Sequence, residues 1–375
     1  MRIAFVSTMD STPWGGSEEL WSGAAACLAR EGHDVIASVP AWPEIPPGIH
    51  ALRAAGVRLA FRPRPGLATR LARRALGRDA GADFRGFLRR ERPAFVVISE
   101  GWTGDGIDAM LACEAAGVPY APLVQANCEL WWPVDAVRER WRRAYGRARR
   151  VFFVAERNAT LLQEQLGLSL AASEVVWNPW KVRVPETTSW PSGHEPRLAC
   201  VARLDIHAKG QDVLLRALAH SDLRRLSVDF YGTGDQREGL QAMAAHLGLE
   251  NVRFAGQASD MNAVWDRHHL LVLPSRLEGS SLALIEAMWC GRPAVVTDVG
   301  GNAALCEDGV TGFVAEAAAP ATLARTLERA LAARDGWPAL GRAARERIAR
   351  MAPRDPLAAF GAAVLRAAGQ AEGGG

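Results

Sequence analysis

The feature of this chain that most restricts its fold is a double series in which short apolar segments alternate with amphipathic segments of helical period. Apolar strands that alternate with helices are typical of parallel β-sheets covered by helices on both faces. The first series predicts strands at Arg2–Thr8, Asp34–Val39, Val57–Arg62, Ala94–Glu100, Tyr120–Gln125, Val151–Ala155 and Glu174–Asn178. The second series predicts strands at Leu198–Ala202, Ser227–Tyr231, Val252–Phe254, Leu270–Pro274 and Ala294–Thr297.

A segment rich in proline, serine and threonine, residues 182–196, separates the two series and is the predicted linker. At 375 residues the chain is long enough for two domains that each bury a core. We therefore predict an α/β fold of two Rossmann-like domains whose parallel sheets face a central cleft. The predicted N-terminal domain is 1–181 and the predicted C-terminal domain is 197–352. Residues 353–369 are predicted to form a helix that packs back on the N-terminal domain.

The composition narrows the class of protein. Hydrophobic residues make up 49% of the chain and charged residues 23%, which argues against a disordered or fibrous protein. The apolar start turns polar after Val6, and no apolar run is long enough to cross a bilayer, so we expect neither a signal peptide nor a membrane span. The six cysteines contain no Cys-x-x-Cys pair and predict neither a zinc site nor a disulfide framework. We therefore expect a cytoplasmic protein.

The basic residues are unevenly distributed. Twelve arginines and three acidic residues lie between Arg53 and Arg92. One interpretation is a surface that makes peripheral contact with an anionic membrane, on its inner face. The other is a solvated surface in a chain that strongly prefers arginine, since only two of its 44 basic residues, Lys181 and Lys209, are lysines. The sequence leaves both open, and no recognition motif predicts a nucleic-acid partner.

The segment richest in functional residues follows the strand that ends at Pro274. A polar loop comes next, and then a predicted helix over Leu282–Trp289. The free backbone N–H groups at the start of such a helix form a site for an anion. Ser280 or Ser281 is predicted to cap the helix and to offer a hydroxyl group to a phosphate.

A dinucleotide-binding fingerprint is the first alternative for such a site. Gly232-Thr233-Gly234 follows a predicted strand, but Arg237 occupies the position of the third glycine of the fingerprint. The chain also contains no Walker loop. Hydride transfer by a nicotinamide-dependent enzyme is therefore the least favoured function.

In the segments Glu278-Gly279-Ser280-Ser281, Glu286 and Gly300-Gly301-Asn302, the chain resembles the retaining GT-B glycosyltransferases of family 4. The resemblance implies that Glu278 contacts hydroxyl groups of the donor sugar and that Glu286 holds the ribose of the nucleotide. It also implies that the donor contacts the start of the helix, at Gly279, Ser280, Ser281 and Leu282. The alternative for both glutamates is that they have no functional role and are solvated charges at the ends of a helix.

Upstream, Arg203 and the pair Lys209-Gly210 resemble the family's strand-end arginine and its Lys-Gly pair. The resemblance implies that Arg203 and Lys209 bind the diphosphate of the donor. Near the N-terminus, Gly15-Gly16 resembles the family's glycine loop beside that diphosphate. The alternative for Arg203 is a surface cation, and that for Lys209-Gly210 is the start of a helix. The alternative for Gly15-Gly16 is a plain turn.

The N-terminal domain departs from the family at one position. Many members have a histidine after the fifth strand, where it contacts the donor sugar. This chain has no histidine there, and Gln125 or Asn127 is predicted to supply the hydrogen bond instead.

These observations predict a retaining glycosyltransferase that moves a hexose-type sugar from a nucleoside diphosphate sugar to a glycan or lipid-linked acceptor, in cell-surface polysaccharide or glycolipid synthesis. Arg203, Lys209 and Glu278 are the predicted catalytic residues. No cofactor or metal is expected, because the two cations can take that role and no Asp-x-Asp pair is present. One alternative is a non-hydrolysing nucleotide-sugar epimerase, which needs acid/base groups that the first domain does not evidently supply. The other is a catalytically inactive glycan-binding module.

Overall fold

The structure is a computed structural model, and it describes residues 1–10, 13–63, 82–193 and 195–369. These residues form two compact units. The first unit comprises Met1–Pro179 and the C-terminal segment that begins at Pro353, and the second unit is Trp180–Ala352. Each unit is built around one parallel sheet with a hydrophobic core of its own.

The sheet of the first unit has seven parallel strands among the described residues. They are β1 (Arg2–Ser7), β2 (Asp34–Pro40), β3 (Arg58–Arg62), β4 (Phe95–Glu100), β5 (Tyr120–Val124), β6 (Val151–Phe153) and β7 (Ser173–Val175). They pair in the order β3-β2-β1-β4-β5-β6-β7, so the chain winds outward from β1 in both directions. Strands β1, β4 and β5 are buried on both faces, which explains their continuous apolar sequences.

Helices cover both faces of this sheet, because a βαβ connection between parallel strands must return across a face. The described helices between the strands are α1 (Gly16–Arg30), α2 (Pro47–Ala54), α3 (Ala82–Glu91), α4 (Ile107–Ala115), α5 (Asp135–Gly146) and α6 (Glu156–Leu166). Helix α1 buries Leu20, Trp21 and Leu28 against the sheet. The predicted class of fold, a parallel α/β sheet, is confirmed in this unit.

Among its described residues, the second unit has a sheet of six parallel strands. They are β8 (Arg197–Val201), β9 (Ser227–Tyr231), β10 (Val252–Gly256), β11 (Leu270–Leu273), β12 (Ala294–Thr297) and β13 (Gly312–Ala315). Their order is β10-β9-β8-β11-β12-β13, again centred on the first strand and its neighbour. Strand β13 was not predicted from the sequence. It is only four residues long, and its pairing with β12 defines it.

The helices of the second unit alternate with these strands. They are α7 (Ile206–Lys209), α8 (Gln211–Leu218), α9 (Arg237–His246), α10 (Met261–Trp265), α11 (Leu282–Trp289), α12 (Asn302–Leu305), α13 (Pro320–Ala332) and α14 (Trp337–Met351). No helix of the described residues is both long and apolar enough to cross a membrane.

The last helix, α15 (Pro356–Gly369), belongs to the first unit although it follows the second in the chain. Phe360 and Val364 of α15 are fully buried in the core that also contains Trp21 of α1. The ring of Phe360 meets the ring of Phe152 edge to face, with 5.2 Å between the centroids. The first unit is therefore built from both ends of the chain.

The segment predicted as a linker, residues 182–196, lies in the second unit. The guanidinium group of Arg292, which is fully buried, donates a hydrogen bond of 2.7 Å to the carbonyl oxygen of Ser189 in this segment. Arg183 exchanges two backbone hydrogen bonds with the side chain of Asn262. The proline-rich composition indicated a segment outside the regular elements, but it could not show that the segment packs on a domain.

The buried Arg292 predicts a large loss of stability on substitution. Its guanidinium group also donates to the carbonyl oxygens of Trp265, His268 and Cys290. Arg292→Leu would leave these buried oxygens without partners, and we expect the free energy of unfolding to fall by about 3 kcal/mol. Urea denaturation measures the change.

The control for this prediction is Arg334→Leu. The side chain of Arg334 is half exposed and faces Asp335 at 3.8 Å, so its removal should change the free energy of unfolding by less than about 0.5 kcal/mol. Equal denaturation midpoints for the two variants would contradict the structural role of Arg292.

Candidate functional site

The predicted site residues of the second unit lie on the segments that follow two strands of its sheet, in loops and in the helices that begin there. Arg203 and Lys209 follow β8, and Glu278 and Glu286 follow β11. Because all strands of the sheet are parallel, these loops leave from the same carboxyl edge, where α/β proteins bind ligands.

Lys209 and Glu278 form a direct ion pair, although 69 residues separate them in the sequence. The Nζ atom of Lys209 lies 2.8 Å from Oε2 of Glu278. The hydroxyl group of Ser275 donates to the other carboxylate oxygen at 2.7 Å. Glu278 is only 5% exposed, so its charge needs these partners. The sequence predicted Lys209 and Glu278 as site residues separately, and the structure brings them together.

Local structure holds Lys209 at this position. Asp205 caps the short helix α7 by accepting hydrogen bonds from the backbone N–H groups of His207 and Ala208. Lys209 ends this helix, and Gly210 follows with a left-handed φ of +63°. A Cβ atom on Gly210 would lie 2.1 Å from the carbonyl oxygen of Pro274. The glycine after the lysine is therefore required by its conformation and by contact with the end of β11.

Arg203 lies on the same loop but is more open to solvent. Its guanidinium group pairs with Asp205 at 2.9 Å, and its side chain is 42% exposed. The glycine of the incomplete dinucleotide fingerprint, Gly232, packs directly beneath this loop. A Cβ atom there would lie 2.0 Å from the carbonyl oxygen of Ala202. Close packing against the loop of Arg203 thus explains why residue 232 is a glycine. In the sequence, the same glycine belongs to a pattern that is also found in dinucleotide-binding loops.

The loop before α11 is fixed by contact with a second glycine loop. Gly300 has a φ of +53°, and a Cβ atom on it would lie 2.2 Å from the carbonyl oxygen of Glu278. The N–H group of Gly301 donates to the carbonyl oxygen of Gly279 at 2.7 Å. The pair Gly300-Gly301 therefore positions the backbone that carries Glu278.

The start of α11 differs in one detail from the predicted cap. Ser281 occupies the capping position, but its side chain makes no capping hydrogen bond, and Ser280 precedes it. The first turn of α11, which begins at Leu282, therefore retains N–H groups that no side-chain cap occupies. This arrangement suits an anion that approaches the helix from the carboxyl edge of the sheet.

Glu286 lies on α11 and is 4% exposed. Burial raises the pKa of its carboxyl group to about 7, and the hydrogen bond and charge of Lys181 partly oppose this shift. The backbone N–H group of Lys181 donates to Oε1 of Glu286 at 2.8 Å. Sequence reasoning did not assign this contact, and the rarity of lysine was the only signal at position 181. A buried carboxyl group that titrates near neutral pH is typical of a functional site.

In the first unit, Gly15 and Gly16 lie between β1 and α1. Gly15 is extended and precedes the first residue of the helix, Gly16. Beneath them Glu18 is buried, and burial raises its pKa to about 7 despite opposing effects from Ser7 and Arg62. The backbone N–H group of Glu18 donates to the carbonyl oxygen of Gly15 at 3.0 Å, so the turn leads directly into α1.

Arg62 belongs to the basic run Arg53–Arg92, of which residues 64–81 lie outside the described residues. Its guanidinium group donates to the hydroxyl group of Ser38 at 2.7 Å and to the carbonyl oxygen of Ser7. Burial lowers its pKa to about 10. Arg62 therefore bonds to groups in the interior of the first unit and does not add to a basic surface.

Gln125 and Asn127 follow β5 and are both more than nine-tenths buried. Asn127 donates to Gln165 at 2.9 Å and accepts from the N–H group of Cys128, so both ends of its amide are used internally. The Oε1 atom of Gln125 accepts from Asn178, while its Nε2 atom has no partner among the described residues. Of the two amides, Gln125 therefore retains a free donor.

Glu100, at the end of β4, is completely buried. It accepts hydrogen bonds from the hydroxyl group of Tyr145 and from the N–H group of Gly106, each at 2.7 Å. Burial raises its pKa to about 8. This carboxyl group holds the turn between β4 and α4 from inside the first unit.

Comparison with known proteins assigns a family model to each unit. Residues 15–179 match the model described as glycosyl transferase 4-like domain. Residues 195–333 match the model described as glycosyl transferases group 1. The two matches together cover most of the chain and contain all the predicted site residues.

Two similar proteins each match about a third of this chain. D-inositol 3-phosphate glycosyltransferase of Streptomyces scabiei is 40% identical over 135 residues, which are 32% of this chain and 30% of the relative. The GDP-mannose-dependent α-(1-6)-phosphatidylinositol monomannoside mannosyltransferase of Mycolicibacterium smegmatis is 35% identical over 138 residues, 33% of this chain and 35% of the relative. Both matches span less than two fifths of the relative's length.

The match to a solved structure extends over almost the whole chain. The crystal structure of HepE from Anabaena in complex with UDP aligns with 98% of this chain and 99% of its own, with a TM-score of 0.74 and 17% identity. At this identity the similarity establishes the fold, and the predicted GT-B fold of two Rossmann-like domains is confirmed.

The raised pKa of Glu286 predicts a pH-dependent stability. The unfolded carboxyl group, with a pKa near 4.5, loses its proton at lower pH than the folded one, with a pKa of about 7. Its contribution to the free energy of unfolding is therefore complete below the lower value and falls by up to about 3 kcal/mol as the pH rises to the upper value. Glu286→Gln removes this titration, so the variant should gain stability relative to the unmodified protein as the pH rises.

Urea denaturation at about pH 5 and about pH 8 measures this gain. Glu328→Gln, on the exposed face of α13, is the matched control for the chemical change from carboxylate to amide. An equal difference for Glu286→Gln at the two pH values would contradict a buried, protonated carboxyl group.

Proposed function

Because the chain belongs to the group 1 glycosyl transferases, we propose that it moves a hexose-type sugar from a nucleoside diphosphate sugar to a glycan or lipid-linked acceptor. The observation that carries this proposal is the ion pair of Lys209 with the buried Glu278, next to the open guanidinium group of Arg203. These three groups lie on loops at the carboxyl edge of one sheet, beside the start of α11. We also propose that this reaction is a step in the synthesis of cell-surface polysaccharide or glycolipid.

The diphosphate of the donor would bind to Arg203 and Lys209. An ammonium group has three donors, so Lys209 can hold Glu278 with one and an oxygen of the β-phosphate with another. Negative charge grows on that phosphate as the sugar departs. Fixed cations and N–H groups of α11 would stabilise this charge in the transition state.

The sugar and the ribose would each bind a glutamate. Two hydrogen bonds, from Lys209 and Ser275, fill only part of the capacity of the Glu278 carboxylate, so it can also accept from sugar hydroxyls. Glu286 uses Oε1 for the N–H group of Lys181, and ribose hydroxyls would donate to its carboxylate. Gly279, Ser280, Ser281 and Leu282 would contact the donor from the start of α11.

The first unit would supply the remaining contacts. Gly15 and Gly16 would lie beside the diphosphate, and Gln125 is the better candidate for the sugar, since it keeps an unused N–H donor. Asn127 is proposed only as a second candidate, because its amide is bonded to Gln165 and Cys128.

The identity of the nucleotide differs among similar proteins. HepE of Anabaena was crystallised with UDP and with UDP-glucose, whereas the mannosyltransferase of Mycolicibacterium smegmatis depends by its name on GDP-mannose. Both support a nucleoside diphosphate sugar as donor for this chain. The base has to be determined by experiment.

We also propose that transfer retains the anomeric configuration and needs no divalent metal. Arg203 and Lys209 supply two positive charges at the place where a metal would otherwise neutralise the diphosphate. The diphosphate itself would help to deprotonate the acceptor on the same face of the sugar. No side chain then has to act as a nucleophile.

We further propose a cytoplasmic location with peripheral contact between the basic run Arg53–Arg92 and the inner face of the membrane. Phe61 supports this proposal, because it is an exposed aromatic side chain within the run. Arg62, in contrast, is directed inward and would not contribute.

The model of the site predicts two different effects on nucleotide binding. Arg203→Met should weaken binding of the nucleoside diphosphate by about tenfold or more and leave binding of the nucleoside unchanged, because the arginine contacts only phosphate. Glu286→Gln should weaken both ligands, because it contacts the ribose. Trp289 and Trp180, with ring centroids 5.2 Å apart next to Glu286, provide the fluorescence signal for titrations with uridine, guanosine and adenosine diphosphates.

The control for these titrations is Arg329→Met, a surface cation on α13 that pairs with Asp308. It should bind the preferred diphosphate like the unmodified protein. If Arg203→Met weakened the nucleoside and the diphosphate equally, the assignment of the diphosphate site would be wrong. If no nucleoside diphosphate bound, the transferase proposal would fail as a whole.

Once the donor base is known, the reaction itself tests the mechanism. We expect the rate of transfer to be unchanged, within about twofold, when excess EDTA is added, because Arg203 and Lys209 replace the metal. We expect nuclear magnetic resonance of the product to show the anomeric configuration of the donor. Loss of activity in EDTA that Mg²⁺ or Mn²⁺ restores, or an inverted product, would refute the respective part.

A further inference from the structure

A short turn in the first unit exposes an unusual amount of apolar surface. We call residues 129–137 the apolar turn. Within it Leu130 is 91% exposed, Trp132 55%, Val134 68% and Val137 37%. Single exposed apolar residues are normal, but four large ones within eight residues of the chain are a local concentration of apolar surface, and such concentrations mark interaction sites.

The apolar turn is held firmly at its base. The ring of Trp131 meets the ring of Trp102 edge to face, with 4.5 Å between the centroids. The backbone of Cys128 is bound on both sides, since Asn127 accepts from its N–H group and Gln165 donates to its carbonyl oxygen at 3.0 Å. The exposed side chains are therefore presented by an anchored turn rather than by a loose loop.

The exposed residues are not needed by the fold. Helix α5, which continues from the turn, packs on the first unit through Ala144 and Tyr145, which are fully buried. Trp141 of the same helix lies so close to Gly104 that a Cβ atom there would be 2.2 Å from the indole ring. The apolar contacts of α5 are made on this face, and Val134 and Val137 lie outside it.

The flank of the apolar turn is basic. Between Glu129 and Arg150 the chain has seven arginines and three acidic residues. Arg143 and Arg147 have side chains that are more than half exposed. Most of this charge is balanced locally. Arg140 pairs with Asp108 of α4, and Arg143 and Arg147 share Glu114 of the same helix. Three further arginines pair with acids elsewhere, namely Arg138 with Asp135, Arg142 with Glu139 and Arg150 with Glu174. The surface is therefore apolar at its centre and modestly positive at its side.

We propose that the apolar turn inserts into the interfacial layer of an anionic lipid bilayer, with the arginines of α5 against the headgroups. Tryptophan and aliphatic side chains next to arginines are the composition of interfacial anchors, and guanidinium groups bind lipid phosphates. Leu130 has so few neighbours of its own that a fluid acyl region can surround it fully. This surface is distinct from the run Arg53–Arg92.

The inference goes beyond the proposed function and does not depend on it. Vesicle binding is measured without donor or acceptor, so a protein without transferase activity would still test it. Conversely, a protein that fails to bind vesicles could still transfer a sugar to a water-soluble acceptor. The two proposals can therefore fail separately.

The experiment is co-sedimentation of the full chain with vesicles of phosphatidylcholine alone and of phosphatidylcholine mixed with phosphatidylglycerol. We expect binding to the mixed vesicles, and a loss of about tenfold or more in the partition coefficient for Leu130→Ser combined with Trp132→Ser. Leu130→Ser alone should give a partial loss. Its side chain is almost fully exposed, so this single variant cannot fail to fold for want of packing.

Two control variants make the result specific. Val310→Ser combined with Met351→Ser removes exposed apolar side chains from the second unit and should bind like the unmodified protein. Phe61→Ser removes the exposed aromatic side chain of the run Arg53–Arg92, the other proposed membrane contact, and should weaken binding less than the variants of the apolar turn do. Because part of the charge of α5 is paired with acids, added salt should weaken binding only in part.

The proposal is overturned if the unmodified protein does not bind the mixed vesicles. It is also overturned if the variant at Leu130 and Trp132 binds them unchanged, which would leave the patch to a protein partner. Loss of binding in Phe61→Ser alone would assign the membrane contact to the other surface. A larger loss of binding in the variants of the apolar turn than in Phe61→Ser supports the proposal.

Discussion

The candidate site depends on one partly buried ion pair, between Lys209 and the buried Glu278. Removing two charges from water is costly, and an apolar pair of the same volume is often at least as stable. The protein reduces the cost with a hydrogen bond from Ser275, whose carbonyl oxygen in turn accepts from Thr297 at 2.5 Å. Stability alone therefore does not explain this pair. A ligand that needs a fixed cation beside a fixed carboxylate does explain it.

The position of the pair is set by backbone contacts that exclude a Cβ atom. Gly210 lies against the end of β11, and Gly300 lies against the backbone of Glu278. Both have positive φ, so any other residue would be strained as well as crowded. These contacts join the loops after β8, β11 and β12 into one rigid group. The side chains that would hold the donor are thus ordered before it binds, which favours tight and specific binding.

Buried carboxyl groups support loops at the carboxyl edge of the first sheet as well. Glu100 holds the turn after β4, and Glu18 lies beneath the Gly15-Gly16 turn. Both have pKa values raised by burial, so proton uptake at these groups affects the stability of the first unit near neutral pH. Arg62 takes part in the same interior, although its sequence context suggested a surface.

The alternation of apolar strands and helices determined the class of fold, because a strand buried on both faces must be apolar throughout. The sequence also indicated Glu278, Glu286 and Lys209 as single candidates, through their spacing from glycines and strand ends. It missed β13, whose sequence begins with a glycine and lacks the continuous aliphatic run of β11 and β12, and whose pairing with β12 is a tertiary fact.

Three properties were decided only by the tertiary structure. One is that Lys209 meets Glu278, because residues on different strands come together only when the sheet forms. Another is the packing of residues 182–196 on the second unit through Arg292. The third is the exposure of the apolar turn at Leu130. Burial and pairing depend on which elements become neighbours in space, and local sequence does not contain that information.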